Sequence, residues 1–332
     1  VVGLLKVGGW AEVERLAGPN MHLIRSAADP EFPWTGVLFA SAIIGFWYWC
    51  TDQFIVQRVL SAKNIQNARE GSIFAGFLKM LPLFLFVIPG IIAFALYKKG
   101  MLPSMPIVDG APVSNKALPT LVKDILPIGL RGLVVAGLFA ALMSSLSSMF
   151  NSSSTLITLD FYKKYRPKAT DRELVSVGRI STVLLVLISL LWVPVIQSGA
   201  LSDQLFLYLQ SVQAYISPPI AAVFLLGLFI KRLNGQGAMA SLITGFVLGA
   251  LRFALELMKN SLPDGSLLKT LATINFLHFA ILLFIICTAV LVVVSLLTPK
   301  PSEEQIEHVT YSGVFDRSNI ATRDVVLSVL LL

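Results

Sequence analysis

Seven apolar runs, each long enough to cross a lipid bilayer, dominate this sequence. They cover approximately residues 35–52, 72–97, 126–160, 176–197, 203–230, 236–258 and 274–298. A membrane-spanning helix needs about 20 mainly apolar residues, and in lipid the protein must satisfy every backbone polar group itself. The runs therefore predict an all-α polytopic membrane protein. Composition agrees, because only 14% of the residues are charged, whereas about 25% is typical of a soluble domain.

Lys and Arg are unevenly distributed among the segments that connect the runs. Thirteen of them lie in a first set of segments, 53–71, 161–175, 231–235 and 299–324. Six lie in a second set, 98–125, 198–202 and 259–273. The positive-inside rule places the first set in the cytoplasm. The net charge of +7 therefore reflects membrane orientation, and we expect no nucleic-acid partner.

Cysteine and histidine positions indicate neither a disulfide framework nor a metal cluster. Cys50 and Cys287 lie in separate apolar runs, and His22, His278 and His308 share no metal-ligand spacing. The spans contain no Ser/His, paired-Asp or HExxH arrangement, so we expect no enzyme. The chain begins with Val, and its last apolar run stops about ten residues after Arg323, so we expect a segment that is cut at both ends.

The third run contains an unusual concentration of hydroxyl groups, in the stretch ALMSSLSSMFNSSSTLITLD at 141–160. On a helix with 3.6 residues per turn, seven small or polar residues share one stripe: Ala141, Ser144, Ser145, Ser148, Asn151, Ser152 and Thr155. Small hydroxyl residues allow membrane helices to pack closely. Neutral oxygens could instead bind a monovalent cation, because divalent ions usually take carboxylates. The pattern leaves both interpretations open.

Prolines interrupt three of the runs at Pro82, Pro89, Pro194 and Pro218–Pro219. Each proline removes a helix hydrogen bond and frees a carbonyl. In lipid this is tolerated where protein or a water-filled cavity satisfies the freed group, and interrupted spans are typical of transporter binding sites. The alternative is that each proline only kinks its helix, and this explanation is weakest for the double proline.

Three further features admit a functional and a structural explanation. Lys79 lies about seven residues inside its apolar run. Either it has a functional role there, or its side chain extends to the membrane surface. The stretch FWYWC at 46–50 forms either an interfacial aromatic belt or a stacking surface for sugars. Gln210 offers an amide either to polyol hydroxyls or to a neighbouring helix.

Long stretches of the chain resemble the sodium/glucose cotransporters of the solute:sodium symporter family. They are WYWCTDQFIVQRVLSAKNIQNAREGS at 47–72, GLRGLVVAGLFAALMSSLSSMFNSSSTLITLDFYKKYR at 129–166, WVPVIQS at 192–198 and QLFLYLQSVQAYISPPIAAVFLLGLF from 204. The resemblance covers most of residues 5–300 and implies a LeuT-like fold of two inverted five-helix repeats.

The resemblance also implies how the chain is divided. Residues 1–34 are the end of a preceding helix and an extracellular segment, and residues 35–230 are the five-span second repeat. Two additional membrane helices follow at 231–298. Residues 299–324 form a cytoplasmic linker, and 325–332 begin a truncated membrane helix.

The same resemblance implies roles for individual residues. Ala141, Ser144 and Ser145 match the shared sodium site, and Ser148 matches a second sodium site of two-sodium members. The residues that match sugar-binding positions are Tyr48, Trp49, Lys79, Phe206 and Gln210.

The implied activity is sodium-coupled symport of a glucose- or galactose-like sugar by alternating access, in the plasma membrane and with Na⁺ as the coupling ion. No obligate protein partner is evident. Gly45 and Leu207 differ from the residues that are frequent in glucose carriers. Symport of myo-inositol or another polyol therefore stays open, as does a sugar sensor of the same fold that does not accumulate its ligand.

Overall fold

The computed structural model describes residues 1–22, 24–108, 110–197, 205–307, 309–311 and 322–331. Six of its helices are long and apolar enough to cross a membrane, and a bent helix pair forms a seventh candidate span. All seven predicted runs lie on these helices, which confirms a multi-pass, all-α architecture. The predicted connection 198–202, together with His308 and Arg317, lies outside the described residues.

Helices of very different lengths follow one another along the chain. In order, they are α1 (Val2–Val7), α2 (Trp10–Ala17), α3 (Trp34–Cys50), α4 (Gln53–Leu60), α5 (Ile65–Leu78), α6 (Ile88–Lys98), α7 (Ala117–Ile125), α8 (Ile128–Leu156), α9 (Lys163–Tyr165), α10 (Asp171–Gln197), α11 (Leu205–Phe229), α12 (Gly235–Leu257), α13 (Leu267–Thr273), α14 (Phe276–Leu297), α15 (Glu303–Ile306) and α16 (Thr322–Leu331). Two π-helical segments, Leu83–Val87 and Ile157–Tyr162, precede α6 and follow α8. An antiparallel hairpin pairs Ile107 with Pro112 and Val108 with Ala111.

The chain divides into two compact units. The first comprises residues 1–23, 62–192 and 323–332, and the second comprises 24–61 and 193–322. The core of the first unit forms where α1, α2 and α7 pack against α6, and it includes Val7, Val13 and Leu96. In the same unit α16 docks on α5, since the Gln66 amide donates to the Asp324 carboxylate at 3.0 Å.

The core of the second unit forms where α3, α11 and α14 pack together, and it includes Ala40, Tyr215 and Leu283. Glycines allow its helices to approach closely. A Cβ atom added to Gly245 of α12 would lie 2.3 Å from Pro219 of α11, which is far inside van der Waals contact. Small residues at such crossings are typical of membrane helices. Because lipid provides no hydrophobic driving force, the helices associate through close van der Waals packing, which small residues permit.

The prolines have different effects at different positions. A π-helical segment follows Pro82 and continues to the residue before Ile88, so this span is locally irregular as expected. The double proline does not interrupt its helix, because α11 runs unbroken through Pro218 and Pro219. Pro218 is fully buried. Packing against α12 and α14 therefore holds the backbone helical where local hydrogen bonding alone would not.

Candidate functional site

The hydroxyl stripe lies on α8, which is a single regular helix of 29 residues. Ala141, Ser144, Ser145 and Ser148 follow one another within two turns, at the spacings of one face of the helix. The first three are exposed and Ser148 is half-buried. The helix therefore presents the four residues that resemble sodium ligands as one surface.

Hydroxyl groups further along α8 and in the π-helical segment after it already donate to carbonyls of the preceding turn. The Ser152 hydroxyl donates to the Ser148 carbonyl at 2.9 Å, and the Thr158 hydroxyl donates to the Ser154 carbonyl at 2.7 Å. Such bonds to the preceding turn are common for Ser and Thr in helices. Within the described residues neither Ser144 nor Ser145 makes a hydrogen bond of this kind. The hydroxyl oxygens of these two serines are therefore not engaged by the described residues.

The π-helical segment that follows α8 contacts α10. The Tyr162 hydroxyl donates to the Glu173 carboxylate at 2.5 Å. A Cβ atom on Gly178 would lie 3.5 Å from the Thr158 hydroxyl oxygen, an ordinary contact distance. The part of α8 that carries Ser144 and Ser145 is exposed within the first unit.

Lys79 belongs to the same unit as the hydroxyl stripe. It directly follows α5, and its backbone N–H donates to the Ala75 carbonyl at 2.9 Å and so closes the helix. The side chain is exposed. Lys79 therefore lies where the helical span becomes irregular, just before Pro82 and the π-helical segment.

Tyr48 and Trp49 lie in the last turn of α3. Their rings meet edge to face, with centroids 5.5 Å apart and planes at 88°, a favourable aromatic geometry. Directly after them the chain bends by 53° into α4, and the Asp52 side chain accepts from the Phe54 N–H at 3.2 Å to begin the new helix. The aromatic pair thus lies at a break between two helices.

Phe206 and Gln210 lie one turn apart at the start of α11. Phe206 is 61% exposed and its ring centroid lies 6.3 Å from that of Phe32. Gln210 is half-buried. Both residues belong to the second unit, together with Tyr48 and Trp49.

Tyr48 and Gln210 lie near opposite ends of two neighbouring helices. Ring contacts at both ends fix the alignment of α3 and α11: Phe32 with Phe206 at 6.3 Å and Phe46 with Phe224 at 6.1 Å between centroids. Gln210 is close to the first pair, and Tyr48 is close to the second. At 1.5 Å per helical residue, they are roughly 20 Å apart along the helices. The structure therefore groups Tyr48 with Trp49 and Phe206 with Gln210.

Sequence interpretation missed a buried polar network beside α11. Arg252 of α12 is 4% exposed and lies 3.5 Å from the Glu256 carboxylate. The Tyr215 hydroxyl of α11 donates to the same carboxylate at 2.5 Å. Two signals could have revealed the network, namely a charged residue inside an apolar run and an Arg–Glu spacing of four residues.

The described residues contain no group of three or more His, Cys, Asp and Glu side chains that could hold a metal ion. Hydroxyl and carbonyl oxygens are suitable ligands for a hard ion of low charge.

Comparison with known proteins gives consistent results. The pattern of the sodium:solute symporter family matches residues 7–245. The sodium/mannose cotransporter SLC5A10 of Bos taurus is 46% identical over 300 residues, which are 88% of this chain and 50% of that protein. Sodium/glucose cotransporter 1 of Mus musculus is 45% identical over 85% of this chain and 44% of its own length.

A polyol carrier is similarly close in sequence. Sodium/myo-inositol cotransporter 2 of Sus scrofa is 41% identical over 87% of this chain and 44% of its own length. The chain thus spans about half the length of the curated relatives it matches.

Among solved structures, a Na⁺-coupled sialic acid symporter in an outward-open state superimposes with a TM-score of 0.63. It is 20% identical, and the match covers 91% of this chain and 59% of the symporter. The expected LeuT-like transporter fold is thereby confirmed.

Proposed function

The chain belongs to the sodium:solute symporter family, and from this premise we propose that the complete protein carries a sugar or polyol together with Na⁺ across the plasma membrane. Relatives named for mannose, glucose and myo-inositol transport support a polyhydroxylated solute. A glucose- or galactose-like sugar is the first choice, and myo-inositol is the alternative. The relatives are transporters, and the protein is accordingly not an enzyme.

The observation that carries the sodium part of the proposal is the state of two hydroxyl groups on α8. The hydroxyls of Ser144 and Ser145 make no hydrogen bond to a described residue, whereas the hydroxyls of Ser152 and Ser154 donate to carbonyls of α8. An ion site needs oxygens that are not already engaged. In the proposal Ser144, Ser145 and the carbonyl of Ala141 bind Na⁺, because a carbonyl oxygen in a helix keeps a second lone pair.

Ser148 occupies a different position in the proposal. It lies one turn beyond Ser144, where it is half-buried, and its carbonyl already accepts from Ser152. We assign it to a second sodium ion in the case that the protein couples two ions to each solute. Sodium stoichiometry measured with and without the Ser148 hydroxyl tests this assignment.

Two groups of residues provide the proposed solute contacts in the second unit. Gln210 offers both an amide donor and a carbonyl acceptor to sugar hydroxyls, and Phe206 offers an exposed ring face beside it. Tyr48 and Trp49, roughly 20 Å from Gln210 along the helices, are proposed as a separate contact at the break between α3 and α4, where the apolar C–H surface of a sugar can stack. Lys79, which belongs to the first unit, is proposed as a sugar-hydroxyl partner in its own right.

The proposed mechanism is alternating access. Residues 35–230 correspond to the second inverted repeat, which rocks against the first around sites near the bilayer midplane. Sodium binding on α8 stabilises the state in which the solute site is formed. A membrane potential contributes about 2.3 kcal/mol per charge per 100 mV, and a tenfold sodium gradient adds about 1.4 kcal/mol. Together these would sustain a solute gradient of several hundredfold per sodium ion.

The test is uptake of labelled glucose by the complete protein in proteoliposomes with an inward sodium gradient. We expect accumulation that disappears when choline replaces sodium. Stronger competition by myo-inositol than by galactose would assign the protein to polyols. Sodium-independent uptake would contradict the coupling, and sugar-evoked current without accumulation would contradict transport.

A further inference from the structure

A buried cation lies near the end of α12. Arg252 is 4% exposed, and its Nη2 atom donates to the Ile274 carbonyl at 3.0 Å. The guanidinium lies over two aromatic rings, 5.3 Å from the centroid of Tyr215 and 5.6 Å from that of Phe279. Cation–π contacts of this kind are most favourable when the charge is removed from water. Arg252 is thus enclosed by α11, α12, α14 and the segment before α14.

The charge of Arg252 is balanced by a carboxylate that also binds α11. Glu256 lies one turn further along α12, with its Oε2 atom 3.5 Å from Nη1 of Arg252. The Tyr215 hydroxyl donates to that same oxygen at 2.5 Å. Since Tyr215 belongs to α11, this hydrogen bond ties the rotation of α11 about its axis to α12.

The backbones of α11 and α12 are in close contact at the same level. A Cβ atom on Gly249 would lie 2.6 Å from the Tyr215 carbonyl oxygen. A rotation of α11 about its axis would move the Tyr215 hydroxyl away from Glu256 of α12. We refer to Arg252, Glu256 and Tyr215 as the α11 network.

The network and the proposed solute contacts lie on opposite faces of α11. At about 100° per residue, Tyr208 and Tyr215 share one face, while Phe206 and Gln210 share a face about 140–180° away. Burial agrees with this geometry, because Tyr208 and Tyr215 are 7% and 3% exposed and Phe206 is 61% exposed. A rotation that breaks the network would therefore turn Gln210 by the same angle.

The network is not held by packing alone. A cavity of about 300 Å³ lies beside it and is lined by polar side chains that include Arg252, Glu256 and Ser211. The Nε and Nη1 atoms of Arg252 have no hydrogen-bond partner among the described residues. A polar cavity of this size has room for water molecules that satisfy such donors. On this side of α11, the orientation of the helix therefore depends on specific polar contacts as well as on apolar packing.

We propose that Tyr215, Glu256 and Arg252 are positioning residues that hold α11 in the rotation at which Gln210 meets the solute. Buried ion pairs are often no more stabilising than apolar side chains of the same size, and some of them specify geometry. This inference rests on the proposed function of Gln210 and adds the residues that orient it.

The main test compares Tyr215→Phe with Ser217→Ala in the complete protein. The first change removes only the hydroxyl that reaches Glu256. The second removes a buried hydroxyl of the same helix that has no hydrogen-bond partner among the described residues. We expect Tyr215→Phe to raise the sugar concentration for half-maximal uptake about three- to tenfold, from the loss of one hydrogen bond. Sodium half-saturation and thermal stability should change little, and Ser217→Ala should behave as wild type.

A second measurement does not depend on which solute is carried. Gln210→Cys is made with Cys50→Ser and with the exposed cysteines of the rest of the complete protein also changed to Ser, and it is labelled with a membrane-impermeant maleimide. Cys287 is buried and is left in place. Adding Tyr215→Phe or Glu256→Gln should change the labelling rate severalfold, and adding Ser217→Ala should not. Combining Tyr215→Phe with Glu256→Gln should have no larger effect than the stronger single change.

The outcomes separate the two proposals. If the wild-type protein shows no sodium-driven sugar uptake but labelling responds to the network, the proposed function fails and the orientation role stands. If labelling and sugar half-saturation are unchanged in Tyr215→Phe and Glu256→Gln, the inference is wrong. A fall in thermal stability and maximal rate with unchanged half-saturation also overturns it, because that is the signature of a purely structural role.

Discussion

The hydroxyl of Ser152 donates to the carbonyl oxygen of Ser148 at 2.9 Å, so one residue of the α8 stripe binds the backbone of another. Ser144 and Ser145, further back on the same face, make no such bond to a described residue. The stripe thus contains hydroxyls that donate to the backbone of their own helix and hydroxyls that bond to no described residue. This difference determines which serine substitutions should affect ion binding.

Ser145→Ala should raise the sodium concentration for half-maximal uptake about tenfold or more, since one oxygen ligand to a charged species is lost. Ser153→Ala is the matched control, because Ser153 lies on the same helix but outside the stripe. Uptake measured over a range of sodium concentrations at saturating sugar provides the comparison. Equal sodium dependence of the two variants would count against the ion site.

Gln210→Ala should weaken apparent sugar affinity much more than apparent sodium affinity. The amide is proposed to bond sugar hydroxyls, and a sugar left without those partners loses about 1–3 kcal/mol. Measuring both half-saturation values on the same preparation separates the two effects. A parallel loss of sugar and sodium affinity would indicate that Gln210 is structural.

Acid should weaken the first unit through Glu12. The Arg15 guanidinium and then the Lys99 ammonium hold the pKa of Glu12 at about 2, below its usual 4.5. Because the unfolded chain takes up this proton first, the stabilisation is fully present above about pH 4.5 and is lost as the pH falls towards 2. Glu12→Gln should therefore reduce the fall in melting temperature between pH 5 and pH 2.5.

The matched control for this pH effect is Glu14→Gln, on the same helix and exposed. It should leave the fall in melting temperature close to that of the wild type. Added salt should diminish the difference between the two variants, since exposed ion pairs are screened. An identical pH profile for Glu12→Gln and the wild type would exclude this role of the ion pair.

Gly245→Ala should lower the stability of the second unit by about 1–3 kcal/mol, as overpacking usually does. The added methyl group would lie 2.3 Å from the Pro219 Cβ atom and 3.0 Å from the Cys287 sulfur. Gly71→Ala is the control, because a Cβ atom there meets nothing within 4 Å. Melting temperatures in detergent provide the measurement, and equal values for both variants would mean that α11 and α12 can separate without cost.

The apolar runs predicted the helices well, because run length alone reflects bilayer thickness. They could not predict that α11 stays helical through Pro218 and Pro219, since tertiary packing rather than local hydrogen bonding decides this. They also could not predict the separation of Tyr48 from Gln210 along their helices. Relative displacement of two helices depends on contacts such as Phe46 with Phe224, which a residue pattern does not contain.

For the α11 network, in contrast, the sequence does contain a signal for two of the three members. Arg252 and Glu256 stand four residues apart in an apolar run, and charged residues in such runs are costly and seldom incidental. What the sequence does not show is the third member. Tyr215 joins them only because α11 packs against α12.

The bend between α3 and α4 has a consequence for the proposed contact of Tyr48 and Trp49 with the solute. Where α3 ends, its last carbonyls lack helical partners, and where α4 begins, its first N–H groups lack them too. Partial charges of both signs are thus presented side by side within one span. They belong to the main chain, so they persist whatever side chains flank the break. Under the proposed function, replacing Tyr48 or Trp49 would alter solute preference while the main-chain polar groups stay in place.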